Sequence, residues 1–182
     1  MIFVSAGHNP KGIKIDPGAV ANGYKEAEVA VEIRNLVVDV CRAIGCKVIT
    51  DNDDERLGDY LRRIKTGTGS VVLEFHFDAA GSRSATGTTA LVEEDADRFD
   101  KLFAQELVDT TSSVLGIRNR GVISEKQSHR GRLALMREEG LVCLLEVGFL
   151  TNIDDMKAYE LNKVMLANKI ARILKKYEDL IL

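Results

Sequence analysis

Apolar residues follow two alternating patterns along the chain. Short, nearly continuous apolar runs predict buried strands at residues 2–4, 47–50, 70–77, 88–92 and 141–147. Apolar residues spaced three and four apart predict helices between them, at residues 24–44, 57–64, 99–115 and 164–177. Gly45 and Gly116 are placed to end two of these helices, and Asp54 is a candidate N-cap for the short second one.

The order of these elements is strand, helix, strand, helix, strand, strand, helix, strand, helix. Strands that alternate with helices predict an α/β fold, in which a mostly parallel sheet is covered by helices on both faces. Ligands of such sheets bind near the carboxyl ends of the strands. We therefore expect functional residues at those ends.

The composition narrows the class of protein. The chain has 182 residues, 45% hydrophobic and 29% charged, which predicts one folded domain and excludes a disordered chain. The net charge of -3 argues against a nucleic acid partner, because phosphate binding needs a basic surplus. No run of roughly 18 apolar residues indicates a membrane span, and the first residues lack the pattern of a signal peptide. Three cysteines match no metal or redox spacing and are expected to be buried, reduced thiols: Cys41, Cys46 and Cys143.

Three polar residues stand out against the predicted strands. Glu146 lies in the last apolar run, where a carboxylate is costly unless it is paired, protonated or bound to a metal. His76 lies at the end of the third strand, and His8 directly follows the first. A salt-bridged glutamate, a hydrogen-bonded core histidine and a solvated loop histidine are the structural alternatives. The shared position at strand ends favours one functional site.

Two histidines and a carboxylate are the usual protein ligands of a hydrolytic zinc ion. The carboxylate candidates are Glu26 and Glu28, at the start of the first long helix, with Glu32 and Glu74 as further candidates. Glu26 and Glu28 point about 200° apart on a helix, so that only one of them can face the site. Spacing alone makes a zinc site plausible and does not select the ligand.

Motifs in register over nearly the whole chain resemble the zinc-dependent N-acetylmuramoyl-L-alanine amidases of the type-3 class, which are bacterial and phage peptidoglycan hydrolases. The matching segments begin with a glycine-histidine pair after the first strand and end with a Glu-x-Gly-Phe-x-x-Asn motif. They are residues 7–8, 16–19, 23–26, 76–79, 120–122, 133–138 and 146–152. The resemblance implies a twisted, mostly parallel central sheet of about five to six strands between helices.

The resemblance also implies a site and a reaction. His8, Glu26 and His76 would be the ligands of one Zn²⁺ per chain, and Glu146 the catalytic glutamate. The bond cleaved would join the lactyl group of N-acetylmuramic acid to L-alanine in peptidoglycan or its muropeptide fragments. Two alternatives are a zinc carboxypeptidase or deacylase that acts on another amide, and a non-catalytic cell-wall binding domain with a closed zinc site.

Departures from the family pattern concern the contacts with substrate. Asp78 replaces the usual asparagine, and a polar, basic loop follows the Arg-Gly-Val segment. Guanidinium groups bind carboxylates in a bidentate manner, so arginines of this region could contact the stem peptide, although ordinary surface charge explains them equally well. The predicted substrate-binding residues are Asp78, His129, Arg130, Arg132 and Arg137.

The resemblance covers nearly the whole chain, which leaves no span for a second module. We expect residues 1–182 to form a single catalytic domain without a separate cell-wall binding domain, and to be monomeric. The family's self-inhibiting helical insertion is not found between His76 and Glu146. The setting is the cell wall, reached by a phage endolysin made in the cytoplasm, or by a secreted or excised domain.

Overall fold

The computed structural model describes residues 1–128 and 131–181. Within these ranges the chain forms eight strands: β1 (Ile2–Ala6), β2 (Val20–Ala21), β3 (Tyr24–Lys25), β4 (Val48–Thr50), β5 (Val71–Asp78), β6 (Thr88–Val92), β7 (Asn119–Ser124) and β8 (Leu141–Phe149). It also forms four α-helices and two 3₁₀ helices: α1 (Glu26–Ala43), α2 (Leu57–Arg63), α3 (Arg98–Leu115), α4 (Ile153–Ile181), and the 3₁₀ segments Glu125–Gln127 and Ala134–Arg137.

Six of the described strands form one sheet in the order β4-β1-β5-β8-β6-β7. Neighbouring strands are parallel except for β6 and β8, which are antiparallel. The predicted α/β class is therefore confirmed. The edge strand β7 was not predicted, because its residues are exposed or half-buried and carry no apolar run.

Helices cover both faces of this sheet, but unequally. The helices α1, α3 and α4 pack with Val71, Leu73, Phe75 and Phe77 of β5 in the larger core. The opposite side is covered by α2 and the 3₁₀ helix Ala134–Arg137, and Val72 of β5 belongs to this smaller core. We call this second side the short-helix face. Because side chains alternate along a strand, the face that holds Val72 also receives every second residue toward the end of β5.

Helix boundaries differ from the predictions at three places. The helix α4 begins at Ile153 rather than at residue 164, because polar residues outnumber apolar ones in its first turns. The helix α1 begins at Glu26 rather than at residue 24, because β3 pairs with β2 in a short hairpin. The prediction that Asp54 caps α2 is wrong: the N-cap residue is Arg56, whose side chain makes no capping bond. A turn closed by the Glu55 N–H and the Asn52 carbonyl (3.0 Å) occupies the chain before the helix.

The predicted helix-ending glycines and free cysteines are confirmed. Gly45 and Gly116 follow α1 and α3 with φ of 86° and 65°, the left-handed conformation in which glycine commonly ends a helix. The three cysteines are buried and free. No helix within the described ranges is long and apolar enough to cross a membrane.

Candidate metal centre

Adjacent parallel strands bring the two histidines together. His8 lies two residues beyond β1, and His76 lies near the end of β5, which pairs with β1. A backbone bond from the Gly7 N–H to the Phe75 carbonyl (3.1 Å) continues this pairing up to His8. The imidazole centroids are 5.0 Å apart and their planes are nearly perpendicular. The predicted convergence of His8 and His76 is thus present in the fold.

Glu26 completes this cluster from the first turn of α1. Its Oε1 lies 2.9 Å from Nδ1 of His76 and 3.3 Å from Nε2 of His8. The Ala19 N–H donates to its Oε2 (2.9 Å) and the Phe77 N–H to its Oε1 (3.2 Å), so that the backbone fixes the carboxylate. One ligand atom from each of the three side chains lies within 4.8 Å of the other two.

The remaining carboxylate candidates do not join the cluster of ligand atoms. Glu28 is exposed and pairs with Lys25 at 2.8 Å. Glu32 accepts hydrogen bonds from Tyr159 (2.9 Å) and Lys163 (2.6 Å). Glu74 lies behind His76, where its Oε1 is 3.0 Å from Nε2.

Each imidazole therefore has one nitrogen toward the cluster and one toward an outer carboxylate. Nδ1 of His8 lies 2.9 Å from Oδ2 of Asp16, in the segment that the resemblance singles out. Nε2 of His76 is bonded to Glu74. Histidines that bind metals commonly donate their second N–H to such a partner, which fixes the tautomer and the ring orientation.

Two glycines allow this close packing. A Cβ atom on Gly7 would lie 1.8 Å from Nε2 of His76, and a Cβ atom on Gly18 would lie 2.6 Å from Oε2 of Glu26 and 2.8 Å from Cδ2 of His8. Gly18 also has a φ of 63°, which disfavours other residues. Both positions require glycine for reasons that the site itself imposes.

The pKa values describe how the cluster holds charge. Burial acts to raise the pKa of Glu26, but the hydrogen bonds from His76 and His8 outweigh it and hold the pKa well below its usual range. Burial acts to lower the pKa of His76, yet the bonds to Glu26 and Glu74 raise it. Glu26 raises the pKa of His8 in the same way. A metal ion at this cluster would compete with protons for the imidazole nitrogens.

Glu146 lies beside this cluster on the next strand. It is register partner to His76 across β5 and β8, and it is only 2% exposed. Thr88 fixes the backbone at this point, because its hydroxyl donates to the Glu146 carbonyl (2.7 Å). Val142 and Leu144 of β8 belong to the smaller core, and side chains on the same face of a strand recur at every second residue. The Glu146 side chain is therefore on the short-helix face, as His76 is.

A cleft of about 680 Å³ opens at this point. Its lining includes Glu26 and Glu146, together with the predicted substrate residue Asp78. The wall formed by β7 and the segment after it was not predicted, apart from the Arg-Gly-Val motif, because β7 has no apolar signal. This wall, with Arg118 just before β7, contributes the cleft residues Arg118, Asn119, Arg120, Ile123, Gln127 and Ser128.

Two of the other predicted substrate residues, Arg132 and Arg137, lie outside this cleft. Arg137 forms ion pairs with Glu93 (2.5 Å) and with the buried Glu125, and it does not line this cleft. Arg132 lies with Arg137 beside a second cavity. His129 and Arg130 fall outside the described residues. A role of these side chains in binding substrate stays a prediction.

The donor set fits a hydrolytic zinc ion. Two imidazole nitrogens and one carboxylate oxygen converge, each ring has an outer carboxylate, and three protein ligands leave a position for water or substrate. A structural zinc site would offer four protein ligands. Within the described residues, this cluster of three is the group of side chains that can hold a metal ion.

Proteins similar to this chain include N-acetylmuramoyl-L-alanine amidases. The family model described as N-acetylmuramoyl-L-alanine amidase matches residues 2–176. A candidate N-acetylmuramoyl-L-alanine amidase from Neisseria meningitidis is 27% identical with a TM-score of 0.76, over 96% of this chain and 93% of that one. The N-acetylmuramoyl-L-alanine amidase from Clostridium difficile 630 is 21% identical with a TM-score of 0.80, over 98% and 96% of the two chains. The Bacillus subtilis protein YqiI is 24% identical over 158 residues, 85% of this chain and 72% of its own length.

The fold is an α/β fold with a mostly parallel sheet, and the site is a group of two histidines and a glutamate that could hold a metal ion. Because the family model spans nearly the whole chain, the chain belongs to the N-acetylmuramoyl-L-alanine amidase family. The expectation of an amidase that hydrolyses peptidoglycan is confirmed, in preference to the two alternative functions.

Proposed function

We propose that the chain cleaves the amide bond between N-acetylmuramic acid and L-alanine with one zinc ion, held by His8, Glu26 and His76, and with Glu146 as general base. The observation that carries this proposal is the convergence of three ligand atoms within 4.8 Å, next to a buried glutamate in register with His76. Peptidoglycan is the substrate that the family implies.

The ligand atoms follow from the contacts. Nε2 of His8 and Nδ1 of His76 both face Oε1 of Glu26, so these atoms would hold the metal. When bound, zinc acts as a Lewis acid that polarises the scissile carbonyl and lowers the pKa of water. The side chains supply the orientation, because their outer atoms are fixed by Asp16, Glu74 and the Ala19 N–H.

Glu146 supplies the proton transfers. Its carboxylate would take a proton from the water whose oxygen adds to the amide carbonyl carbon. The same proton would then pass to the nitrogen of L-alanine as the C–N bond breaks, which releases a carboxylic acid and a free amine. The position on β8, buried against the short-helix face, keeps this carboxylate in one place while the substrate occupies the open cleft.

The cleft also indicates where the stem peptide would bind. Arg118 and Arg120 line it together with Glu26 and offer guanidinium groups to peptide carboxylates. Asp78 lines it as well and stays the predicted polar contact of the substrate. A monomeric state, a single catalytic unit over residues 1–182, action at the cell wall and the lack of a nucleic acid partner are further parts of this proposal.

Digestion of purified peptidoglycan tests the function. The zinc-loaded protein should release peptides with a free N-terminal L-alanine and leave glycan strands intact, as read by mass spectrometry. Glu146→Gln should bind zinc normally but lose hydrolysis by about 100-fold or more. Glu28→Gln is the matched control, because Glu28 is an exposed glutamate near the site and should retain full activity. Retained hydrolysis in Glu146→Gln would contradict its assignment.

A further inference from the structure

A buried carboxylate outside the ligand set lies directly behind His76. Glu74 precedes His76 by two residues on β5 and is 1% exposed. Its register partner on β8 is Leu144, and the preceding residue on its own face of β5 is Val72, both of which are core residues. An apolar residue would pack here at no electrostatic cost, whereas a buried carboxylate is costly unless its oxygens are bonded.

Both oxygens of Glu74 are bonded. The Ser5 hydroxyl donates to Oε2 at 3.1 Å, and Nε2 of His76 lies 3.0 Å from Oε1. Ser5 is the register partner of Glu74 on β1, so the sheet itself sets the first contact. The second contact joins Glu74 to the imidazole, and through it to the metal centre.

We propose that Glu74 is the positioning residue of His76. It accepts the Nε2 proton, which leaves the Nδ1 lone pair directed at the cluster, 2.9 Å from Glu26. This inference rests on the proposed function, because it takes Nδ1 of His76 as a zinc ligand atom. The chemistry is that of a carboxylate-histidine-metal triad, in which the outer carboxylate fixes the tautomer and the orientation of the ring.

The ring of His76 is held on several sides. Glu26 bonds one nitrogen and Glu74 the other, while Gly7 packs so closely that a methyl group there would overlap the ring. The corresponding partner of His8 is Asp16, whose side chain is 57% exposed. Water competes with Asp16 but not with Glu74, so we expect Glu74 to affect metal affinity more.

Zinc affinity, measured by competition with a chromophoric chelator, tests this inference. Glu74→Met fills the buried space without an acceptor and should weaken zinc binding by about 10–100-fold. Glu74→Gln keeps an oxygen that can accept the Nε2 proton and should retain part of the affinity. Asp16→Asn should weaken binding less than Glu74→Met, and the exposed control Glu28→Gln should not change it.

Two readouts separate positioning from a structural role. The visible spectrum of the Co²⁺-substituted protein should change in Glu74→Met, because the coordination of His76 changes. The slowly exchanging Nε2 proton of His76, visible by NMR in the zinc-loaded protein, should be lost. If Glu74→Met does not fold, Glu74→Gln decides by the same measurements.

The outcomes are distinct. Zinc affinity within twofold of wild type and an unchanged Co²⁺ spectrum in the Glu74 variants would overturn this inference and leave the proposed function intact. Failure of the wild-type protein to bind zinc would overturn the metal assignment, and this inference with it. The expected order of affinities is wild type, then Glu74→Gln, then Glu74→Met.

Discussion

The two histidines of the metal centre are held by different parts of the molecule. His76 lies on a central strand, is 5% exposed, and has a buried carboxylate on its outer nitrogen. His8 lies in a loop, and the carboxylate on its outer nitrogen, Asp16, is largely exposed. The loop is fixed by its own bonds, since the Asn9 amide donates to the Lys11 and Lys14 carbonyls at 2.7 and 2.8 Å.

The two histidines have the same proposed role as metal ligands, but the chain around His76 is held more firmly than the chain around His8. The sheet places His76 and Glu146 at adjacent register positions, where a shift would disrupt the ladder and the core behind it. The segment with His8 can shift at the cost of a few exposed hydrogen bonds. We call His76 with its strand the strand-borne half of the site, and His8 with its loop the loop-borne half. Substitutions in the strand-borne half should therefore destabilise the protein more than substitutions in the loop-borne half.

Removal of each imidazole gives the largest expected effect. His76→Ala and His8→Ala should both abolish zinc-dependent hydrolysis, because each removes one of three ligands. In the metal-free protein, His76→Ala also leaves Glu74 and Glu26 buried without their partner, which should cost about 3 kcal/mol. Thermal denaturation should then show a Tm lower by roughly 6–12 °C for His76→Ala. Equal Tm values for the two variants would contradict the proposed difference between the two halves.

Addition of a methyl group at each glycine sharpens the comparison. Gly7→Ala places a Cβ atom 1.8 Å from the buried ring of His76, and overpacking of this kind costs about 2 kcal/mol. Gly18→Ala disturbs Glu26 and His8 from the loop side, where the chain can move. Zinc content after dialysis should therefore fall more in Gly7→Ala. A greater loss in Gly18→Ala would show that the loop is the more rigid half.

Glu125 is a buried carboxylate that forms an ion pair with an arginine side chain. Arg137 pairs with Glu125, which also accepts from the Leu133 N–H (2.6 Å) and so fixes the segment beside β7. Arg137→Ala should lower stability by about 1 kcal/mol, because the guanidinium is partly exposed. KM for muropeptides should stay unchanged, with Arg62→Ala, an exposed arginine on α2 outside the cleft, as the matched control. A raised KM at constant Tm would instead support the sequence-based prediction of a substrate contact.

The smallest expected effect concerns acid stability on the loop side. Burial acts to raise the pKa of Asp53, but the bonds from Arg34 and Lys11 hold it below its ordinary value. Its stabilisation is therefore fully present above the unfolded-state pKa of about 3.9 and is lost as the pH falls through the lower folded-state value. In metal-free protein, the Tm difference between wild type and Asp53→Asn should correspond to less than about 1 kcal/mol and should shrink below that range. A difference independent of pH would contradict this assignment.

Much of the sheet could be predicted because its strands are buried. The apolar runs of β5 and β8 are explicit in the sequence, and both histidines were correctly expected at strand ends. The edge strand β7 and the hairpin of β2 and β3 could not be predicted, because pairing at an edge or over two residues requires no apolar pattern. The cleft wall formed by β7 was missed for the same reason.

Side-chain partners were harder to predict than elements. Arg137 was predicted from the sequence to contact the substrate, because its guanidinium group can bind carboxylates. In the fold, it pairs with Glu93 and Glu125. Glu74 was a candidate metal ligand by residue type, and its contact with the outer nitrogen of His76 depends on the rotation of that ring. Residue type limits which bonds a side chain can form, while distance and direction decide which ones it does form.

The sequence by itself determined the α/β class, the buried strands and the residues able to bind a metal. These features depend on residue type and on the spacing of apolar and polar residues along the chain, both of which can be read directly. Local spacing left Glu26 and Glu28 open, and only the family resemblance favoured Glu26. The tertiary structure shows that Glu26 faces both histidines, that Glu146 stands beside His76, and that Glu74 lies behind it. These are contacts between segments distant in the chain. They depend on strand order and register, which local patterns do not encode.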